Sequence, residues 1–249
     1  MFRKYYQYRF LNPLKTIFFF LADLIAKHKI FAVERTYPSD RKNTKLIAFS
    51  LYGDEDRYIN NIESCINSYK TYFPDWQIRI YLSQDIPGKI FNRLRESGCE
   101  IIVMKSKGKD FRYTYWRFLP LDDVNLEMIL IRDIDSIASE REKKMVDDWL
   151  YSSKKLHIIR DHMLHNAKIM GGMWGLRINK IPYGILEKMH RFTKKNRHGS
   201  DQQFLEIIYN YHVTDMHVND VIHRYYDESP IIIPNPHQHF HIGQINLKS

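Results

Sequence analysis

The chain has 249 residues, of which 44% are hydrophobic, 14% aromatic and 27% charged, which fits a globular α/β domain and excludes a disordered chain. Its two cysteines, Cys65 and Cys99, lack the spacing of a disulfide framework or a zinc site, which predicts a reducing, cytoplasmic location. The first 45 residues contain ten basic and three acidic residues, so they carry seven of the nine net positive charges. The remaining 204 residues carry only two, and the sequence therefore does not predict a basic, nucleic-acid-binding face on the folded domain.

The basic N-terminal segment, residues 1–44, contains an apolar stripe at helical spacing that runs from Ile17 to Ile25 and is flanked by Lys15 and Lys27. Its longest uncharged run, residues 16–22, is far shorter than the ~18–20 apolar residues of a membrane-spanning helix. The pattern fits an interfacial helix that contacts an anionic membrane peripherally, or a helix packed on the domain's own surface. We therefore expect a partly helical segment over 1–44 and a single α/β domain over 45–249.

From Lys45 onward, apolar runs and helical patterns alternate about every 25 residues, which predicts βαβ units and a mainly parallel sheet flanked by helices. The strands are predicted at 45–53, 76–83, 99–105 and 126–135. The helices between and after them are predicted at 54–72, 88–98, 111–121 and from Ser139, where Glu142 completes a capping box. Beyond residue 155 we expect a strand, a histidine-rich loop, a strand through "GGMWGLR", helices at 181–195 and 201–211, and a short strand before a histidine-rich tail.

Two aspartates, Asp133 and Asp135, follow the apolar run "MILI" of the fourth predicted strand. Residues two apart on an extended chain point to the same side, so both carboxylates could share one hard divalent cation. The other interpretation is a strand end that happens to be acidic. Ligands bind at the carboxyl ends of strands in such sheets, and this position favours a metal site.

Other candidate residues lie downstream. Gly171 and Gly172 would let the backbone approach a ligand, and Asp161 would accept hydrogen bonds from sugar hydroxyls or form a salt bridge. Asp201 would serve as a base near the helix start or simply cap that helix. The tail places His237, His239 and His241 on one face if it is extended, so that one of them could reach the aspartate-bound metal.

The order "SLYG", "RDIDS", "GGMWG", "SDQQFL" and "HFHIG" resembles the GT-A class of nucleotide-sugar-dependent glycosyltransferases over about residues 45–245. The resemblance implies a Rossmann-like catalytic domain with a smaller C-terminal acceptor-side part. It implies Mn²⁺ or Mg²⁺ held by Asp133, Asp135 and His241, and a nucleoside-diphosphate sugar as donor. The glycine pair that several such families carry before the D-x-D strand end is missing here.

By the same resemblance, the donor-binding residues are predicted to be Ser50, Leu51, Tyr52, Arg117, Asp133, Gly171 and Gly172, and the catalytic residues Asp201 and Asp161. Arg117 matches the donor-contacting arginine better than Arg112 does. The acceptor would be a glycan or a lipid-linked molecule. The alternatives are a metal-dependent nucleotidyltransferase or phosphohydrolase, which would use further carboxylates, and a non-catalytic basic peripheral binding protein.

Overall fold

The computed structural model describes residues 30–40, 43–53, 56–178, 184–194, 196–234 and 241–243. The predicted helical stripe of the N-terminal segment, as well as His237 and His239, lies outside these residues. Every helix of the described part falls short of the length and apolarity that crossing a membrane requires.

Strands and helices alternate through most of the described chain. The strands are β1 (Val33–Tyr37), β2 (Lys45–Leu51), β3 (Gln77–Ser83), β4 (Glu100–Met104), β5 (Met128–Arg132), β6 (Leu156–Arg160), β7 (Met173–Arg177), β8 (Met216–Asp220) and β9 (Ile231–Ile232). The helices are α1 (Asp56–Tyr72), α2 (Gly88–Glu96), the 3₁₀ helix (Phe111–Asp122), α3 (Glu140–Tyr151), α4 (Ile185–Phe192) and α5 (Ser200–His212).

The described strands form one mixed sheet in the order β1-β4-β3-β2-β5-β7-β6-β8-β9. Neighbours from β4 to β5 are parallel, as are β6, β8 and β9, which confirms the prediction of a mainly parallel sheet flanked by helices. β7 runs antiparallel to both β5 and β6. A loop without a helix joins β6 to β7. Such a short connection reverses the chain and places β7 antiparallel beside β6, whereas two parallel strands need a longer crossover connection.

Two strands were not predicted from the sequence. β1 pairs antiparallel with β4, so residues 33–37 of the N-terminal segment belong to the sheet. β8 pairs with β6 and is buried from His217 to Asp220. Its sequence, "MHVND", carries polar residues that bond partners far along the chain, because Arg160 Nε donates to Asp220 Oδ2 at 2.7 Å and His157 bonds Asn219 at 2.9 Å.

The sheet separates two apolar layers. One layer packs α1, α2 and α3 against one face of β2 to β5. The other packs the 3₁₀ helix, α4 and α5 against the opposite face. Strands covered on both sides lose the alternation of apolar and polar residues, which accounts for the continuous runs in β2 and β5. Both strands therefore hold their carboxyl ends firmly at one edge of the sheet.

The predicted capping box at α3 is only half formed. Ser139 is the N-cap and accepts a hydrogen bond from Glu142 N at 3.2 Å, as predicted. The carboxylate of Glu142 does not reach back to the helix start; it accepts from Arg132 Nε at 2.5 Å and from the Tyr69 hydroxyl at 3.4 Å. Arg132 and Glu142 are both fully buried, and an unpaired buried arginine costs more than a missing cap contact.

Candidate functional site

The two aspartates after β5 lie on a turn. β5 ends at Arg132, and the carbonyl of Asp133 accepts hydrogen bonds from Ser136 N at 3.2 Å and from its hydroxyl at 2.8 Å. The expectation that both carboxylates follow an extended strand was therefore wrong. The side chain of Asp133 is 47% exposed, whereas Asp135 is buried. Both residues nevertheless line the same cavity.

Arg117 links this turn to the start of α5. Its Nη1 pairs with Asp133 Oδ1, and its Nη2 donates to Asp201 Oδ2 at 3.1 Å. Its backbone N–H donates to Ser50 Oγ at 2.9 Å, which fixes the 3₁₀ helix to the end of β2. Burial lowers the pKa of Arg117, but Asp133 and Asp201 outweigh burial and raise it above its ordinary value. The site therefore keeps a permanent positive charge between two carboxylates.

Gly171 and Gly172 pack directly against this charged group. A Cβ at Gly171 would lie 2.7 Å from Asp201 Oδ2 and 2.8 Å from Arg117 Nη2. A Cβ at Gly172 would overlap the Asp133 carboxylate and lie 2.8 Å from the backbone nitrogen of Asp133. The absence of a side chain at these two glycines thus lets the backbone lie close to the side chains of Asp201, Arg117 and Asp133.

Two adjoining cavities open around Arg117 and Asp133. The inner cavity, about 230 Å³, is lined by Ser50, Leu51, Tyr52 and Asp135 among others. The outer cavity, about 430 Å³, is lined by Gly171, Gly172 and Asp201 among others. The residues that line both are Tyr52, Thr114, Arg117, Asp133, His198 and Gly243. The structure thus brings most of the predicted site residues together in one two-part cleft.

His241 packs against two other histidines. Its ring centroid is 4.8 Å from that of His162 and 5.4 Å from that of His165. Burial, followed by the nearby His241 and His162, lowers the pKa of His165 to about 4, and burial likewise lowers the pKa of His241. Within the described part of the chain, no three His, Cys, Asp or Glu residues are grouped so as to hold a metal ion. The predicted set of Asp133, Asp135 and His241 is therefore not assembled around one point.

Two carboxylates remain a suitable donor set for a hard cation. Mg²⁺ is commonly held by one or two protein carboxylates together with substrate phosphates and water, and does not require a complete protein cage. Asp133 and Asp135 line one cavity and offer oxygen donors. The residues present therefore fit a cation that is bound jointly with a diphosphate.

Asp161 is fully buried and is saturated by protein contacts. Its carboxylate accepts from Arg141 Nε at 2.9 Å and Nη2 at 2.5 Å, and from the backbone N–H of Ile242 at 2.9 Å. It lines neither cavity. These contacts tie the turn at His241–Gly243 to the end of β6, so Asp161 positions Gly243 at the cleft wall.

The cleft residues that were not singled out from the sequence include Lys109, Thr114, Arg197 and His198. Thr114 lies three residues before Arg117 and so occupies the same side of the 3₁₀ helix, a signal that the sequence offered. Arg112 does not line either cavity, because Asp110 holds its guanidinium through contacts of 2.5 and 2.9 Å.

No protein-family model matches the chain, and no curated protein matches it. Solved structures similar to it include TarS 1-349 from S. aureus, with a TM-score of 0.47 and 12% identity over 70% of this chain and 57% of that one. The glycosyltransferase GlyE from Streptococcus pneumoniae has a TM-score of 0.47 and 20% identity over 72% of this chain and 45% of that one. The mannosyltransferase PcManGT from Pyrobaculum calidifontis, in complex with GDP-Man and Mn²⁺, has a TM-score of 0.47 and 14% identity over 83% and 66%.

This chain spans about half the length of the TarS and GlyE chains. The chain itself has a two-part cleft at the carboxyl ends of β2 and β5, with two aspartates and a buried arginine at its centre.

Proposed function

We propose that the protein is a metal-dependent glycosyltransferase that moves a sugar from a nucleoside-diphosphate sugar to a hydroxyl acceptor. The observation that carries the proposal is the cleft in which Arg117 and Asp133 border both cavities, with Asp135 in the inner cavity and Asp201 in the outer one. Such a cleft offers a compartment on each side of the charged group. A donor nucleotide in one and an acceptor in the other would place the transferred sugar between them.

The nucleotide would occupy the inner cavity, against Ser50, Leu51 and Tyr52. Asp133 and Asp135 would hold Mn²⁺ or Mg²⁺ together with the diphosphate. The cation would offset the negative charge that builds on the leaving diphosphate. His241, the third ligand that the resemblance implies, lies against two other histidines, so the proposal rests on the two aspartates.

Arg117 would contribute a second positive charge beside the diphosphate. Its guanidinium is buried and charged, and it would act on the diphosphate through this charge, because its two terminal nitrogens already hold Asp133 and Asp201. Charge stabilisation of this kind favours the transition state over the ground state, because the diphosphate gains charge as the glycosidic bond breaks. Gly171 and Gly172 would keep the backbone close to the transferred sugar.

Asp201 would receive the proton of the acceptor hydroxyl if the reaction inverts the anomeric centre. It stands in the first turn of α5 and borders the outer cavity, and its Oδ2 is anchored by Arg117 at 3.1 Å. The second oxygen of the carboxylate is the atom available for the proton. Asp161, also predicted to be catalytic, would act only through the turn that it holds.

The test is thermal stabilisation by nucleoside diphosphates in the presence of Mn²⁺. We expect UDP or GDP to raise Tm only with the metal, and Asp135→Ala to abolish the shift. Asp147→Ala is the matched control, because Asp147 is a surface carboxylate on α3 paired with Lys143. The absence of a shift with any nucleoside diphosphate would contradict the proposal. Release of phosphate or pyrophosphate without sugar transfer would instead identify a phosphohydrolase or nucleotidyltransferase.

A further inference from the structure

His198 stands at the junction of the two cavities, because it lines both the inner and the outer one. It shares this position with Arg117 and Asp133, the charged pair at the centre of the cleft. Under the proposed function, the nucleotide fills the inner cavity and the acceptor enters the outer one, so the bond that breaks lies at this junction. His198 would therefore stand beside the leaving diphosphate.

The imidazole of His198 keeps its hydrogen-bonding capacity for a ligand. Tyr52 and Thr114, which also line both cavities, share a hydrogen bond between their hydroxyl groups. The two terminal nitrogens of Arg117 hold the carboxylates described above. The side chain of His198, by contrast, makes a ring contact with Phe111 and has no hydrogen bond or ion pair with any residue that the structure describes.

The ring of His198 is nevertheless held in place. It packs edge to face with the ring of Phe111, and the ring centroids are 5.6 Å apart. The backbone N–H of Phe111 donates to Asn196 Oδ1 at 2.9 Å, and the carbonyl of Arg197 accepts from Ser200 N at 3.3 Å. These contacts fix the chain around His198 to the 3₁₀ helix and to the start of α5. A side chain that is held in this way loses little conformational freedom when a ligand binds.

A leaving diphosphate needs hydrogen-bond donors as well as a cation. The guanidinium of Arg117 lies between two carboxylates, so its positive charge is already offset within the protein. A donor that is positioned in advance beside developing negative charge stabilises the transition state. Imidazole carries an N–H donor in its neutral form and in its protonated form. His198 can therefore act as a donor without being charged.

We propose that His198 donates a hydrogen bond to the β-phosphate of the nucleoside diphosphate as the sugar leaves. The electron pair of the breaking glycosidic bond passes to the phosphate oxygen, and the imidazole N–H stabilises this oxygen without giving up its proton. The inference rests on the proposed glycosyltransferase function and adds a residue to its leaving-group site. Asp201, three residues further along the chain, would serve the acceptor, so one short segment would contact both substrates.

The test uses two substitutions that separate the ring of His198 from its hydrogen bond. His198→Phe keeps a ring against Phe111 and removes the donor, whereas His198→Gln removes the ring and keeps an N–H donor. We expect the Kd for UDP with Mn²⁺ to rise about tenfold or more in His198→Phe and about threefold or less in His198→Gln. Isothermal titration of the full chain measures both, with GDP in place of UDP if guanine is the base that the wild-type chain binds.

UMP, which lacks the β-phosphate, localises the contact. Its Kd, measured at millimolar concentration, should change by less than about twofold in His198→Phe. His223→Phe is the matched control, because His223 is exposed and lines neither cavity. This control should bind UDP and UMP as the wild-type chain does.

Three results would overturn the inference: unchanged UDP affinity in His198→Phe, equal losses of UDP affinity in His198→Phe and His198→Gln, or a loss for UMP as large as that for UDP. The second result would mean that only the shape of the side chain matters, and the third that His198 contacts the nucleoside. Binding of UDP by the wild-type chain and its loss in Asp135→Ala are measured first, so failure of the proposed function would be recognised separately.

Discussion

Arg117 Nη2 donates a hydrogen bond of 3.1 Å to Asp201 Oδ2, although 84 residues separate the two in the sequence. The other terminal nitrogen of the same guanidinium pairs with Asp133. One arginine thus fixes the position of two carboxylates from different elements, one on the turn after β5 and one at the start of α5. One guanidinium offsets only one of the two carboxylates, so this group keeps a formal net charge of −1 before any ligand binds.

Replacing Arg117 should therefore affect both folding and binding. We expect Arg117→Met to lower the free energy of unfolding by about 3 kcal/mol, the lower end for breaking a buried pair, because the Asp133 side chain is half exposed. Nucleoside diphosphate binding should be lost as well. Urea unfolding and titration with UDP would measure the two effects. Arg112→Met, on the same helix but in a more exposed pair, should cost at most about 1 kcal/mol, and an equal loss in both variants would contradict a special role for Arg117.

Gly172→Ala should displace Asp133. The new Cβ would meet the Asp133 carboxylate and its backbone nitrogen, and backbone cannot yield as a flexible side chain does. We expect a stability loss of about 1–3 kcal/mol, typical of overpacking, together with loss of Mn²⁺-dependent nucleotide binding. Gly88→Ala is the control, since nothing lies within 4 Å of its added Cβ. Unchanged nucleotide binding by Gly172→Ala would show that binding does not depend on the position of Asp133.

Glu142→Gln should destabilise the protein without involving the cleft. The substitution leaves the guanidinium of Arg132 fully buried without a charged partner, at a cost of about 3–5 kcal/mol. Glu140→Gln, in the first turn of the same helix but exposed, should change stability by no more than about 0.5 kcal/mol. Chemical denaturation of the two variants at neutral pH provides the comparison. Similar small losses in both would mean that the buried pair contributes little.

Stability should fall as the pH drops below about 6.5, the ordinary value for histidine. Burial lowers the pKa of His157 well below that value, and the nearby His217 and Arg132 lower it further, although Asn219 acts in the opposite direction. Below pH 6.5 the unfolded chain therefore binds a proton at His157 that the folded chain does not bind. The contribution of His157 to the free energy of unfolding is complete above pH 6.5 and is lost as the pH falls below it. Each such group steepens the loss by up to about 1.4 kcal/mol per pH unit.

His157→Gln removes this titration while it keeps a hydrogen-bonding group near Asn219. We expect the variant to be less stable at neutral pH, because His157 stacks on Trp149 with ring centroids 5.2 Å apart, but to lose less stability between about pH 7 and pH 5. Urea unfolding at several pH values would show the difference in slope. Parallel curves for the two proteins would contradict the assignment.

The basic N-terminal segment leads to a prediction about membranes. Ten basic residues against three acidic ones among the first 45 should draw the full chain to vesicles rich in anionic lipid, since each lysine or arginine near the surface contributes about 1 kcal/mol. Sedimentation with anionic vesicles should decrease as salt rises, and neutral vesicles should not sediment the protein. Failure to bind anionic vesicles even at low salt would contradict peripheral membrane contact.

Local patterns were enough to predict the frame of the cleft. The apolar run 128–131 predicted β5, and its position placed Asp133 and Asp135 at the carboxyl edge of the sheet, where both line a cavity. The partners of charged residues were not predictable, because they depend on which distant elements meet. Glu142 matched a local cap pattern but pairs with Arg132 on β5, and Arg117 joins carboxylates on both sides of the cleft.

Dependence on distant elements also explains why β8 and the direction of β7 were not predicted. The polar letters of "MHVND" do not follow an apolar pattern, yet Asp220 is fully buried because Arg160 of β6 compensates its charge. The direction of β7 follows from the absence of a helix between it and β6, and it became evident only once the strands were paired. Patterns within one element predict that element, whereas charges buried across elements need the assembled sheet.

The contact between Asp161 and Ile242 also bears on how the protein is made. Ile242 and Gly243 come last among the described residues, and Gly243 borders both cavities. All the described strands precede Ile242 in the chain, so this wall of the cleft is the last described part to be synthesised. A chain truncated ahead of Ile242 would thus keep the residues of every described strand and lack one wall of its cleft, so truncation would separate the sheet from the complete cleft.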